Sequence, residues 1–273
     1  MTAAAHLGGE RGVATRLAAA LDAVDAAAAV TLRWFRDPQL PVATKADQSP
    51  VTAADRAAEM LLREQLLAAF PGDGFLGEEF GAVGGTSGYE WIVDPIDGTK
   101  SFIRGVPLWA TLVGCRHAGR GILGVIAIPA LDECVYASGG GGAWHVSRGG
   151  APVRARVSAR GTMGTALVCT SDFTSFLRRT DPLAGAAARA ALEQGCQVAR
   201  TWGDGYGYLL VATGRADVMI DPLMNPWDAA AVEPVITEAG GRFSDWAGQP
   251  RIDGGDGLAT NGLVHDAVLA LLG

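Results

Sequence analysis

Residues 91–102 read Trp-Ile-Val-Asp-Pro-Ile-Asp-Gly-Thr-Lys-Ser-Phe. Trp91-Ile92-Val93 has the apolar, β-branched character of a buried strand. It runs straight into Asp94, Pro95 and Asp97, so a core strand ends by aiming two carboxylates, three residues apart, at one spot. Burial and like charge both disfavour ionised acids, so something must offset them. Taken alone, Asp-x-x-Asp is most often a turn with a helix cap. Its company changes the balance. Glu78 and Glu79 end a strand in GFLGEEF, Asp228 opens a helix in PWDAAAVE, and Asp55 follows Thr52 at the start of another helix.

Each of these has a plain explanation in isolation: Asp228 as an N-cap, Glu78-Glu79 as a solvated strand end. Together they form an all-oxygen donor set without His or Cys, which suits Mg²⁺ rather than Zn²⁺. Pro95 stiffens the turn so that Asp94 and Asp97 can reach neighbouring ions, and the Ile96 carbonyl is a further oxygen donor between them. Gly98 allows close backbone approach. The N–H groups of Gly98 and Thr99, at the mouth of a short helix TKSFIRG, offer an anion site. Cations beside an anion hole make a phosphoryl site.

Composition narrows the alternatives. The chain has 273 residues and 28.1 kDa, with 49% hydrophobic and 19% charged residues, which suits one large domain or two packed halves. A net charge of −7 leaves no basic face for a nucleic-acid backbone. The four cysteines form no C-x-x-C pair and read as reduced core residues of a cytoplasmic protein. No signal peptide and no membrane span is expected. Of 22 basic residues, 20 are Arg and 2 are Lys: Lys45 and Lys100, both inside the segments that carry the acids. A compact ammonium there suits a crowded anion.

Residues 1–12 are expected to be disordered, 13–151 to form an N-terminal α+β half with the metal and phosphate motifs, and 152–273 a C-terminal α/β half closing the site. Helices are expected over 13–36, with Leu17, Leu21, Val24, Val30 and Leu32 at helical spacing, and over 53–70, with Met60, Leu61, Leu62, Leu66, Leu67 and Phe70 on the apolar face. Residues 109–146 read as an antiparallel meander, with the glycine run 139–142 as a hairpin or hinge rather than a phosphate loop. Beyond it, strand and helix alternate. Segment 227–241 reads as one helix closed by Gly240 and kinked at Pro234, which cannot donate to the Ala230 carbonyl. Helices alternating with mixed sheets imply a layered α/β sandwich.

GEE at 77–79, WIVDPIDGT at 91–99 and WDAAAVEPVITEAGG at 227–241 resemble the signature segments of the inositol monophosphatase family. The resemblance implies an αβαβα sandwich and a Mg²⁺-dependent, Li⁺-sensitive phosphomonoesterase, a homodimer in many relatives, acting on a small phosphorylated metabolite. It implies metal ligands at Glu78, Asp94, the Ile96 carbonyl, Asp97 and Asp228, for two magnesium ions with room for a third. It implies phosphate contacts at Gly98 and Thr99, and a Thr99–Asp55 pair that orients water beside Glu78. Within the family, DGTKSFIRGVPLWATLVG and TWGDGYGYLLVATGRADV are similar to the actinobacterial type of histidinol-phosphate phosphatase. On that basis Lys100, Arg104, Asp204 and Asp221 are expected to contact substrate, with an acid at 221 suited to a cationic amino-alcohol. Ser101 and Gly205-Tyr206-Gly207 depart from that branch, where less bulk beside the leaving group would loosen specificity or re-aim it. Phosphatases of inositol phosphate, fructose bisphosphate or nucleotide bisphosphate are the alternatives within the family, and a metal-binding scaffold the alternative outside enzymes. A water-orienting Thr99–Asp55 pair argues against a scaffold. His6, His117, His145 and His265 read as surface or turn residues rather than bases. Trp202, Tyr206 and Tyr208 are divided between pocket wall and core, and Arg154, Arg156 and Arg160 read as a solvated strand edge.

Overall fold

A computed structural model describes residues 3–45 and 49–272, with side chains from Gly12 onward. The first half contains α1 (Ala3–Trp34), β1 (Val42–Thr44), β2 (Pro50–Thr52), α2 (Ala53–Ala69), β3 (Gly74–Gly77), β4 (Gly81–Val83), β5 (Tyr89–Asp97) and α3 (Thr99–Ile103). It continues through β6 (Ala110–His117), β7 (Arg120–Ile128), β8 (Glu133–Ser138), β9 (Gly142–Ser147) and β10 (Val153–Arg154). The second half contains β11 (Leu167–Cys169), α4 (Pro182–Gly195), β12 (Val198–Arg200), α5 (Gly205–Ala212) and β13 (Val218–Asp221). Then come α6 (Pro226–Ala229), α7 (Val232–Glu238), β14 (Arg242–Ser244), β15 (Gly257–Thr260) and α8 (His265–Leu272).

Eight strands form one sheet in the order β10-β9-β8-β7-β6-β5-β3-β4, and five form a second in the order β12-β11-β13-β15-β14. Period-2 alternation along each strand feeds two faces. On β5, Trp91 and Val93 face α1 and α2, whereas Ile92 faces α5 and α7. On β13, Met219 joins that same middle layer, and Val218 and Ile220 face α4 and α8. The layers therefore run helix, sheet, helix, sheet, helix: the αβαβα sandwich. The 139–142 glycines form the β8–β9 hairpin, with Ser138 opposite Gly142.

The differences from expectation are informative. α1 begins at Ala3, so it enters the segment expected to be disordered; Met1 and Thr2 lie outside the described residues. The face of α1 that packs inward is Ala20, Ala23, Val24 and Ala27, and Leu32 is exposed. Alanine lets two helices approach closely, a pattern that counting large apolar residues overlooks. On α2 the buried stripe is Ala54, Asp55, Ala58, Glu59, Leu62 and Leu66, while Met60 is exposed. β10 lies just past residue 151 yet still pairs with β9.

The helix expected over 227–241 is two helices. It breaks at Ala230-Ala231, which places Pro234 in the first turn of α7, where its missing N–H is unneeded. The break seats on Gly114 and Gly124, paired across β6 and β7, where any Cβ would collide with the backbone of Ala230 and Ala231. A notch in the sheet thus sets the depth of α6 and of Asp228.

Candidate active site

β3 and β5 are parallel neighbours, with Gly77 opposite Val93. Their carboxyl ends therefore share one edge. Glu78, directly after β3, meets Asp94 and Asp97 at the end of β5, where the β5–β6 pairing is irregular. Thr111 Oγ1 donates to the Pro95 carbonyl (2.9 Å) and the Ile96 N–H to Asp94 Oδ1 (3.0 Å), which fixes the turn. Asp228 arrives from α6, its Oδ2 accepting the Asn225 N–H at 2.8 Å in a capping box.

Carboxylate oxygens of Asp94, Asp97 and Asp228 lie within 4.8 Å of one another. Burial, then the charges of Glu78, Asp97 and Asp228, holds Asp94 well above the usual carboxylate range. Burial, then Asp204, Asp228 and Asp221, does the same to Asp97, and burial pushes Asp228 up to about 7. Three crowded acids raised in this way would be relieved by a counter-charge, and an all-oxygen donor set fits a hard divalent ion. Lys45 answers part of the need nearby. Its Nζ lies 2.5 Å from Glu78 Oε1 and 2.6 Å from Glu79 Oε1; burial works against its charge, but these pairs raise its pKa. Burial pushes Glu79 up to about 7.

A cavity of about 240 Å³ is lined by Glu78, Asp94, Ile96, Asp97, Gly98, Thr99, Lys100, Asp204 and Asp228 among others. Gly98 has φ +87°, a left-handed conformation that favours glycine, and the Asp204 carboxylate lies against its Cα. Thr99 Oγ1 is 3.3 Å from Asp55 Oδ1 and 3.2 Å from the Ile96 carbonyl. Asp55 is itself held by Thr52, whose N–H and Oγ1 donate to Oδ2 at 2.8 and 2.5 Å; burial raises its pKa. A second cavity of about 220 Å³ shares Asp97, Lys100, Asp204 and Asp228 and adds Ser171, Asp172, Arg178, Tyr208 and Asp221. Asp221 accepts from Tyr208 OH (2.8 Å) and Ser171 N–H (3.1 Å), and burial lifts it to about 6.

Of the residues singled out from sequence, Arg104 stands apart. It is exposed at the end of α3 and lines neither cavity. Gly205-Tyr206-Gly207 forms the first turn of α5. Gly205 gives its N–H to Asp97 Oδ2 (2.5 Å) and packs on Ala110, and Gly207 packs on Met219, so both are close-packing positions of α5. Tyr208 lines the second cavity, Tyr206 packs against the core and Trp202 is partly exposed. His117 stacks on Tyr89 and His145 pairs with Glu133; the His6 side chain lies outside the described ones. His265 is not a surface residue: it is fully buried between Ser244 and Thr260 hydroxyls, and burial lowers its pKa to about 4. Burial raises the thiols of Cys115, Cys134 and Cys169 to about 12, which rules them out as thiolate nucleophiles. Sequence reasoning passed over Glu59, Ser171 and Asp172. An acid four residues after Asp55 on a buried helical stripe was the available signal for Glu59.

The Inositol monophosphatase family model matches residues 13–272. A histidinol-phosphatase of Chlorobaculum parvum is 40% identical over 92% of this chain and 95% of its own length. One from Mycobacterium tuberculosis is 41% identical over 93% and 96%. An inositol-1-monophosphatase of Mesorhizobium japonicum is 36% identical over 84% and 85%. Among solved structures, the extragenic suppressor protein suhB of Bartonella henselae superposes with a TM-score of 0.84 at 27% identity, covering 94% and 98% of the two chains. With sandwich, acidic edge and full-length similarity in agreement, the chain belongs to the inositol monophosphatase family of phosphomonoester hydrolases.

Proposed function

We propose that the protein hydrolyses the phosphate ester of a small cationic amino-alcohol, histidinol phosphate, as a magnesium-dependent cytoplasmic enzyme. One observation carries the substrate class: the cavity adjoining the acidic cluster presents Asp172, Asp204 and Asp221 against Lys100 and Arg178, an excess of acid suited to a cationic leaving group. Histidinol-phosphatases at 40 and 41% identity support the same substrate.

Glu78, Asp94, the Ile96 carbonyl, Asp97 and Asp228 would hold magnesium, two ions or three, which would supply positive charge to the phosphoryl group and acidify water. The chain's own groups orient the reactants. The Thr99 hydroxyl, directed at Asp55, keeps its lone pairs for an attacking water and aims that water's oxygen at phosphorus. The backbone of Gly98 and Thr99 and the ammonium of Lys100 face the ester's phosphate. Asp221, steadied by Tyr208 and Ser171, and Asp204 hold the alcohol's cationic end. A homodimer belongs to the same proposal, and gel filtration measures it.

Orthophosphate release with magnesium from histidinol phosphate, inositol 1-phosphate and adenosine 3′,5′-bisphosphate tests the substrate. The highest kcat/KM is expected for the first. A preference for the bisphosphate would end the amino-alcohol claim. An inositol phosphatase is the second reading, favoured by the 36% identical relative.

A further inference from the structure

Glu59 is fully buried, yet it is not part of the acid cluster. Both of its oxygens bind the turn that follows β3: Oε2 accepts the Glu79 N–H at 2.7 Å and Oε1 accepts the Phe80 N–H at 2.9 Å. That turn begins with Glu78. Asp55, one helical turn earlier on the same buried stripe of α2, holds the Thr99 hydroxyl. Four residues of α-helix separate the two acids by about 6 Å along a rigid axis. One helix thus grips both the hydroxyl that orients water and the turn that carries the first metal-binding carboxylate.

The local packing is built around this grip. At Gly77 the backbone is ordinary strand, and the three nearest atoms an added Cβ would meet all belong to the Glu59 carboxyl group. An apolar side chain at 59 would pack as Leu62 and Leu66 do, without the cost of a buried carboxylate. Lys45 also pairs with Glu78 and Glu79, so side chains from two segments hold the turn.

We propose that Glu59 is the positioning residue that sets Glu78 relative to Thr99, by binding two backbone amides of the 78–80 turn. It touches neither substrate nor reacting atoms and acts through Glu78. The proposal rests on the metal-centre reading above. Partners of this outer kind, when removed, weaken metal binding on the order of 10–100-fold.

Two variants separate position from charge. Glu59→Gln turns one acceptor into a donor facing an N–H. Gly77→Ala displaces the carboxylate and leaves its charge intact. Asp73→Asn, remote from the acid cluster, is the control for general destabilisation. Mn²⁺ binding without substrate is read from the free-ion paramagnetic resonance signal, alongside the magnesium dependence of kcat. Both Glu59→Gln and Gly77→Ala are expected to raise the Mn²⁺ dissociation constant about tenfold or more and to lower kcat at saturating magnesium, while Asp73→Asn shifts only the melting temperature. Weakening in Glu59→Gln but not in Gly77→Ala would assign the effect to charge and overturn the positioning role. Unchanged binding in both folded variants would overturn it too. Should Glu59→Gln fail to fold, Gly77→Ala decides alone. Absence of Mn²⁺ binding in the unaltered protein would instead refute the metal centre, and this proposal with it.

Discussion

A lone buried acid and a cluster of them lie at opposite ends of β5, and they behave differently. Asp73 is 3% exposed and fully answered. Arg16 binds both its oxygens (2.8 and 2.9 Å), Trp91 Nε1 donates at 3.1 Å and Ser87 Oγ at 2.7 Å. The Arg16 guanidinium also lies over the Phe70 and Tyr89 rings. At the other end of β5, Asp94 is 2% exposed and meets Glu78, Asp97 and Asp228. A satisfied buried acid ties elements together. Acids packed against acids mark a place where the counter-charge comes from solution.

That contrast can be broken at either end. The largest effect is expected at the satisfied one: Asp73→Asn leaves Arg16 buried without its partner and should cost about 3–5 kcal/mol of unfolding free energy. Specific activity per folded molecule should stay as it was. Urea denaturation with a phosphate-release assay measures both. Loss of activity without loss of stability would merge the two groups.

At the other end, Asp97→Asn should lower kcat/KM by about 10²–10³-fold, the range for losing one group that stabilises charge in a reaction. The metal-free variant should melt no lower than the parent, because a like charge has been removed. A variant that melts lower yet keeps full activity would make the cluster a structural scaffold.

Magnesium at about a hundred times its dissociation constant should stabilise the protein by about 2.7 kcal/mol, a rise in melting temperature that EDTA reverses. The pH dependence should differ with and without the ion. Asp228 sits near 7 when folded, against 3.8 as an isolated side chain. The folded state then binds more protons than the unfolded one between those values, so metal-free stability falls as pH rises from about 4 to 7. Saturating magnesium should flatten that slope in thermal melts.

The last effect belongs to His265 and is confined to acid pH. Its pKa falls from 6.5 to about 4, so the unfolded chain binds more protons in that interval. Stability is therefore complete above pH 6.5 and is lost as pH falls toward 4, by at most about 1.4 kcal/mol per pH unit. His265→Asn should remove this component from melts at pH 4.5–6.5. An unchanged slope would place the acid sensitivity elsewhere.

The layered fold was legible because strand periodicity and helix stops are local. Trp91-Ile92-Val93, the β6–β9 meander and Val218–Asp221 all carry their pattern in consecutive residues. The cluster of Glu78, Asp94, Asp97 and Asp228 was legible for a related reason: each acid sits at or near the end of an element, and the motif spacing is distinctive. What escaped depends on contacts across the fold. The inward face of α1 is mostly alanine, which tells little until the neighbouring helix is seen. The break at Ala230-Ala231 answers to Gly114 and Gly124, over a hundred residues away. Arg104, singled out by resemblance, lines neither cavity, and Glu59, whose role lies in two backbone amides, had no motif to announce it.

Calorimetric titration of metal-free protein with magnesium bears most directly on whether oxygens from β3, β5 and α6 gather around a divalent ion. Saturable binding is predicted in the unaltered protein and in Asp73→Asn, with loss in Asp228→Asn. Equal binding in Asp228→Asn, or none in the unaltered protein, would contradict it.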